Sequence, residues 1–194
     1  FYCAKYFNEN INNWDVSNVT SMYALFLSTS FNQPLNSWDV SNVTDMFRLF
    51  VCTPFNQPLN SWNVSKVTTM VQMFGCWSRN PGASFNQPLN NWNTASVTSM
   101  VMMFANNSAF DQDLSSWDMT SIETVGSWWS DLGLDNMFLN TTLSTANLDS
   151  TLTSWASQSL NQNVLFHLGL KTYSSTGATA LNTLENTYNW IITE

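Results

Sequence analysis

The stretch Phe31-Asn32-Gln33-Pro34-Leu35-Asn36-Ser37-Trp38-Asp39-Val40-Ser41-Asn42-Val43-Thr44-Asp45-Met46-Phe47-Arg48-Leu49-Phe50 recurs along the chain and decides how the rest of it folds. Aligned on the first residue, the copies begin at Phe7, Phe31, Phe55, Phe85 and Phe110, and the tryptophan seven residues on returns as Trp14, Trp38, Trp62, Trp92 and Trp117. The steps between copies are 24, 24, 30 and 25 residues. One apolar template repeated at such a period cannot bury its face alone, so the copies are expected to stack into a solenoid instead of closing a globular core.

Two periods are mixed inside each copy. Leu35, Trp38 and Val40 read as a short strand with Trp38 and Val40 inward and Ser37, Asp39 and Ser41 outward. Val43, Met46, Leu49 and Phe50 recur on one face of a short helix, with Asn42 as N-cap and Asp45 in its first turn. One short strand and one short helix per repeat predict an α/β fold: a right-handed leucine-rich-repeat-type solenoid over residues 1–144, with five repeats and partial ones at both ends. Tyr2, five residues before Phe7, takes the place that Phe26 holds before Phe31, so the first residues read as the tail of a preceding copy.

The template carries an insertion of six residues between Cys76 and Ala83, with Pro81-Gly82 inside it. In the fifth copy Val125, Trp128 and Trp129 replace the usual residues, and Leu134, Phe138, Thr141 and Leu143 form a decayed half-copy. The period then stops. Residues 145–194 are expected to be a C-terminal α/β cap: a helix carrying Leu148, Leu152 and Trp155, a strand over 164–168, a second helix starting at Ser174 or Ser175 and a last strand over 190–192. A solenoid end exposes an apolar cross-section that such a segment covers.

Composition narrows the function classes. Among 194 residues there are 5 Lys and Arg against 13 Asp and Glu, and the net charge is −8. The five cations, Lys5, Arg48, Lys66, Arg79 and Lys171, are scattered, which argues against nucleic acid and against an anionic membrane surface. No apolar run approaches the ~20 residues that span a bilayer, so no membrane insertion is expected within this chain. His167 is the sole histidine, and no glycine-rich phosphate loop, Cys-His pair or metal-spaced cluster accompanies it. An enzyme is not expected, nor a cofactor or a metal; Asp111, Asp113 and Asp118 offer hard oxygen ligands but match no compact calcium loop.

The repeat and the ending Leu152-Thr-Ser-Trp155 with Tyr173-Ser-Ser and Tyr188-Asn-Trp-Ile-Ile-Thr193 resemble the BspA-like family of leucine-rich-repeat surface proteins across nearly the whole chain. The resemblance implies a secreted or surface-displayed protein without catalytic residues, since members are typically bacterial surface proteins, with related repeats in protists and large DNA viruses. Those with an assigned role are similar to adhesins. Two functions follow as expectations: an extracellular or cell-surface binding module for an unknown protein or glycan, within a larger surface assembly, and alternatively a structural virion-surface or capsid-associated protein.

The repeated tryptophans suggest a carbohydrate platform, but their shared face with valine places them in the core. The outward positions form polar rows: Asn13, Ser37, Ser61, Asn91 and Ser116, then Asp15, Asp39, Asn63, Asn93 and Asp118. Asp and Asn are poor strand formers, so their recurrence there points to binding. The residue after each leading phenylalanine, Asn8, Asn32, Asn56, Asn86 and then Asp111, reads as a ladder that satisfies backbone groups at a corner. Cys52 and Cys76 share one repeat phase and so lie on adjacent coils, either as a disulfide or as a reduced pair. Of the glycosylation sequons, Asn106 and Asn140 sit at loop-like positions and are the candidates for a glycan.

Overall fold

The computed structural model describes residues 1–78, 83–123 and 133–193. The insertion's Pro81 and Gly82, and Val125, Trp128 and Trp129 of the fifth copy, lie outside these. Successive coils run parallel, joined by the bridges Ser21–Asp45, Asp45–Thr69, Thr69–Ser99 and Ser99–Gly133. The residues expected as a separate half-copy instead complete the fifth coil, with Phe104 N–H donating to Met137 O at 3.0 Å and Phe138 stacked on Phe104 at 6.2 Å.

The segment expected to be helical holds these bridges and is not a helix. Leu49 N–H donates to Met46 O at 3.2 Å and Thr53 N–H to Phe50 O at 3.3 Å, closing two tight turns. The third residue of each turn, Arg48 and Cys52, is left-handed, with φ of 58° and 53°. Left-handed residues four apart prevent helical hydrogen bonding and aim alternate N–H groups along the stack. Those of Met46, Arg48, Phe50 and Cys52 donate to the carbonyls of Thr69, Val71, Met73 and Gly75 at 2.9–3.1 Å. The same device recurs at Ala24, Ser28, Gln72, Met102, Asn106, Asn136 and Asn140, all at positive φ. A non-glycine residue there costs on the order of 1–2 kcal/mol, which the bonds between coils offset. Asn42, expected as an N-cap, instead donates from Nδ2 to Ser17 O at 2.8 Å.

The short strand expected around Trp38 is also a pair of turns, closed by Trp38 N–H to Leu35 O at 3.1 Å and Val43 N–H to Val40 O at 2.9 Å. Trp38 and Val40 nevertheless point inward and Ser37 and Asp39 outward. A turn that returns every third residue to the core mimics, over so short a span, the alternation of a strand.

Inside the coils the side chains stack by type. Each coil pairs two phenylalanines, as in Phe50–Phe55 with ring centroids 3.9 Å apart, and each ring lies over its counterpart in the next coil, as in Phe50–Phe74 at 5.7 Å. Phe1 stacks on Phe7 at 3.8 Å and on Phe26 at 5.9 Å, so Phe1, not Tyr2, fills the position held by Phe26 and Phe50. The tryptophans are buried and each indole N–H reaches back one coil: Trp38 to Ile11 O, Trp62 to Leu35 O, Trp92 to Leu59 O and Trp117 to Leu89 O, at 2.9–3.0 Å. Trp14 departs from the expected core, being 52% exposed on the first coil, where no described coil covers it.

At one corner the asparagine ladder closes as the sequence suggests. Asn8, Asn32, Asn56 and Asn86 each accept, on Oδ1, the N–H of the equivalent residue one coil on, at 2.8–2.9 Å, and Asp111 accepts Ser144 N–H at 2.8 Å. The glutamine that follows reinforces it, with Gln57 Nε2 donating to Asn32 Oδ1 and Gln112 Nε2 to Asn86 Oδ1 at 3.0 and 2.8 Å.

After the coils come α1 (Thr145–Ala156), β1 (Leu165–His167), α2 (Ser175–Tyr188) and β2 (Ile191–Thr193), with β1 and β2 parallel. Ser144 and Ser174 cap the two helices through their side chains. Helix α1 and the residues just after it take up the bonds that another coil would make: Trp155 Nε1 donates to Leu114 O at 3.2 Å, Thr151 Oγ1 accepts Leu114 N–H at 3.1 Å, and Gln158 bonds both Met119 N–H and Trp117 O at 2.8 Å. Among the described residues no helix is long and apolar enough to cross a membrane.

Two stability measurements check this packing. Trp62→Ala removes a buried indole and one of the two hydrogen bonds that the Leu35 carbonyl accepts, and is expected to cost ~3–5 kcal/mol in denaturant unfolding. Asn56→Ala leaves the Asn86 N–H without its acceptor and is expected to cost ~1–3 kcal/mol, whereas Asn56→Asp, which keeps an acceptor as Asp111 does, costs less; equal losses would show that the ladder bond is not what Asn56 contributes.

Candidate functional site

The expected binding residues come together as one polar flank of the stack. Asn13, Asp15, Ser37, Asp39, Ser61, Asn63, Asn91, Asn93 and Ser116 are exposed, and Asp118 is half-buried. They lie on turns, not strands, and this supplies a structural reason for the recurring Asp and Asn. Each of Asp15, Asp39, Asn63, Asn93 and Asp118 accepts, on Oδ1, the N–H two residues on, at 2.9–3.2 Å. Such side-chain turns suit Asp and Asn above other residues.

These bonds also set the electrostatics. The Ser17 hydroxyl, and then the Ser17 N–H, hold the Asp15 carboxyl below the ordinary carboxylate range, and Ser41 does the same for Asp39. In Asp111 burial opposes the charge, but the Ser144 N–H and the Asn147 amide together outweigh it and keep the pKa low. Asp111 thus completes the corner ladder. Among the described residues no group of three or more His, Cys, Asp or Glu is placed to hold a metal.

The flank is further tied across coils. Ser37 N–H donates to Asn12 Oδ1 and Asn91 N–H to Asn60 Oδ1 at 3.0 and 2.9 Å, while Ser116 Oγ donates to Asn90 O at 2.8 Å. Lys66 Nζ reaches Asn42 Oδ1 at 2.7 Å. The result is an array of carboxylate and amide groups at coil spacing, held by hydrogen bonds, with an open hollow of about 370 Å³ at Asn10, Asn12, Asn13 and Ser37.

The opposite corner contains the cysteines. Cys52 and Cys76 form a disulfide with Cα atoms 4.5 Å apart, and Cys3, in the same row, is free and exposed. Asn106 and Asn140, the candidates for a glycan, continue that row. Both are half-buried, and both Nδ2 atoms are engaged, Asn106 with Cys76 O at 2.7 Å and Asn140 with Asn106 Oδ1 at 2.8 Å. On each Nδ2 one proton bonds to a neighbouring coil, so a glycan would have to take the other one at a half-buried position.

Sequence reasoning missed Lys171, whose side chain folds back from the cap to Thr141 O at 2.7 Å and lines a pocket with His167. Its one signal is negative: a lysine in an amide-rich, cation-poor chain.

Acid titration checks the turns. Because the folded-state pKa values of Asp15 and Asp39 lie below their unfolded ones, their contribution is present above about pH 4 and is lost as pH falls through the folded values. The double variant Asp15→Asn, Asp39→Asn keeps the turn acceptors without the charge, and its melting temperature is expected to fall less between pH 5 and pH 2.5 than that of the parent chain. Parallel curves would exclude these carboxylates as a source of acid sensitivity.

No curated protein and no solved structure matches the chain. A family model described as Mycoplasma protein of unknown function, DUF285, matches residues 1–82 and again residues 80–162. The two matched spans take in the repeats and α1, and the chain belongs to the DUF285 family.

Proposed function

We propose that the stacked coils are a leucine-rich-repeat-type solenoid of the BspA-like kind and that the chain is a surface-displayed or secreted binding module. Its polar flank engages a protein or glycan partner. The observation that carries this reading is the row Asp15, Asp39, Asn63, Asn93 and Asp118, each fixed by its own turn. Polar groups held in place before contact spare a complex the entropy of ordering them, so even shallow contacts contribute to affinity. A flat array of acceptors at regular spacing suits an extended partner better than a small molecule, which needs a cavity.

The test neutralises the row without breaking its turns. Asp15→Asn, Asp39→Asn and Asp118→Asn together are expected to weaken partner recovery from surface extracts at least tenfold, while Glu185→Gln on the exposed side of α2 leaves it unchanged. Recovery of the same partners at the same strength by both variants would sink the reading, and the structural virion-surface alternative would then lead.

A further inference from the structure

Where the last coil meets the cap there is a pocket of about 560 Å³, lined by Asn106, Ser108, Asn140, His167, Gly169 and Lys171 and floored in part by Leu139. It is separate from the polar flank. Its size falls in the range of ~300–1,000 Å³ that takes small ligands.

The chain builds it from two directions. On the solenoid side the row that carries Cys52 and Cys76 in earlier coils changes to Asn106 and Asn140, bonded to each other and so fixed in orientation. On the cap side Gly169, with φ of 71°, turns the chain after β1, and Lys171 N–H closes on Gly169 O at 2.7 Å. A side chain at 169 would be strained by that φ, although nothing lies within 4 Å of where its Cβ would be. The turn sends Lys171 back across the join, where Nζ donates to Thr141 O at 2.7 Å.

This leaves a half-buried ammonium with three donors, one of them used by Thr141. Burial pushes the Lys171 pKa down, and among the described residues no carboxylate compensates it. A partly desolvated cation without a counter-charge is unfavourable, and an anion reaching it gains charge-assisted hydrogen bonds. The other polar lining groups are amides, the Ser108 hydroxyl, and His167, whose Nδ1 is engaged with Thr193 Oγ1 at 2.7 Å while no described group bonds Nε2. One cation in a chain of net charge −8 favours a monoanion over a phosphate dianion. Hydroxyl-bonding groups around that cation, with Leu139 as an apolar ledge, suit a sugar ring that carries a single carboxylate.

We propose that this pocket binds a carboxylate-bearing sugar, a uronic or sialic acid, with the Lys171 ammonium taking the carboxylate and Ser108, His167 and the asparagine row facing the hydroxyls. The assignment does not depend on the polar flank. It holds or fails whether or not the flank has a partner.

The experiment is a calorimetric titration of the full chain with glucuronic acid, N-acetylneuraminic acid, the methyl ester of each, and acetate. At least one acid is expected to bind no less than tenfold more tightly than its own ester and than acetate. Lys171→Gln is expected to remove that advantage, and the triple flank variant to keep it. If the free sugar and an oligosaccharide ending in it bind alike, the site reads the terminal residue; tighter binding of the oligosaccharide extends the site along the chain. Both results support the proposal. Equal binding of acid and ester, acetate binding as tightly as the acids, no binding of either acid, or an unchanged Lys171→Gln variant would overturn it. Should Lys171→Gln fail to fold, the contrast between acid and ester on the parent chain decides alone.

Discussion

The structure depends on where the backbone N–H groups of each coil point. After Val19, Val43 and Val97, residues four apart take left-handed conformations, Gln72 does so after Val67, and the N–H groups of alternate residues therefore leave their own coil and bond to the next. Everything else is a consequence of that direction. Stacked phenylalanines, tryptophans whose indoles reach back one coil, and asparagines whose side chains reach forward one coil all require neighbours in register, and the ladder supplies the register. Because each coil bonds only to those beside it, stability accumulates pair by pair along the stack.

How much of this the sequence discloses depends on the residue. The periodic Phe, Leu, Trp, Val and Met positions give the burial pattern directly, since side-chain polarity is read from composition alone. Trp38, Trp62, Trp92 and Trp117 are interior, as their spacing implies. The asparagine after Phe is legible too, because an amide repeated beside a corner has a backbone group to satisfy. The helix expected over Val43 to Phe50 is not found, and the reason is physical. Apolar residues three and four apart fit a series of tight turns as well as they fit a helix, and the residues that decide between them, Arg48, Gln72 and Met102, are not turn formers. Their left-handed conformation is imposed by the next coil, a tertiary effect that no local pattern records.

The flank illustrates the converse problem. Asp15, Asp39 and Asp118 attract attention as exposed acids in a regular row, and the turns they close explain their recurrence without any partner. The pocket beside Lys171 was illegible for a different reason: its two walls are about 30 residues apart in sequence, and only the docking of the cap brings Asn140 and Lys171 to one cavity. Repeat periodicity describes what coils share, whereas this site arises where the repetition ends. The same holds for Trp155, which belongs to a helix yet makes the indole bond of a sixth coil.

The bond between Cys52 and Cys76 has a mechanical meaning. It ties equivalent corners of two neighbouring coils and turns the segment between them into a covalent ring with a sequence separation of 24 residues. Pulled from its two ends, a stacked chain yields by peeling off one coil after another, releasing extended chain at ~3.3–3.6 Å per residue. The tethered coil does not peel: roughly 80 Å of contour length stays out of reach of the load, and force passes through the sulfur bridge while that coil's side chains remain beside their neighbours. Under tension the middle of the molecule therefore resists extension while the coils on either side lengthen.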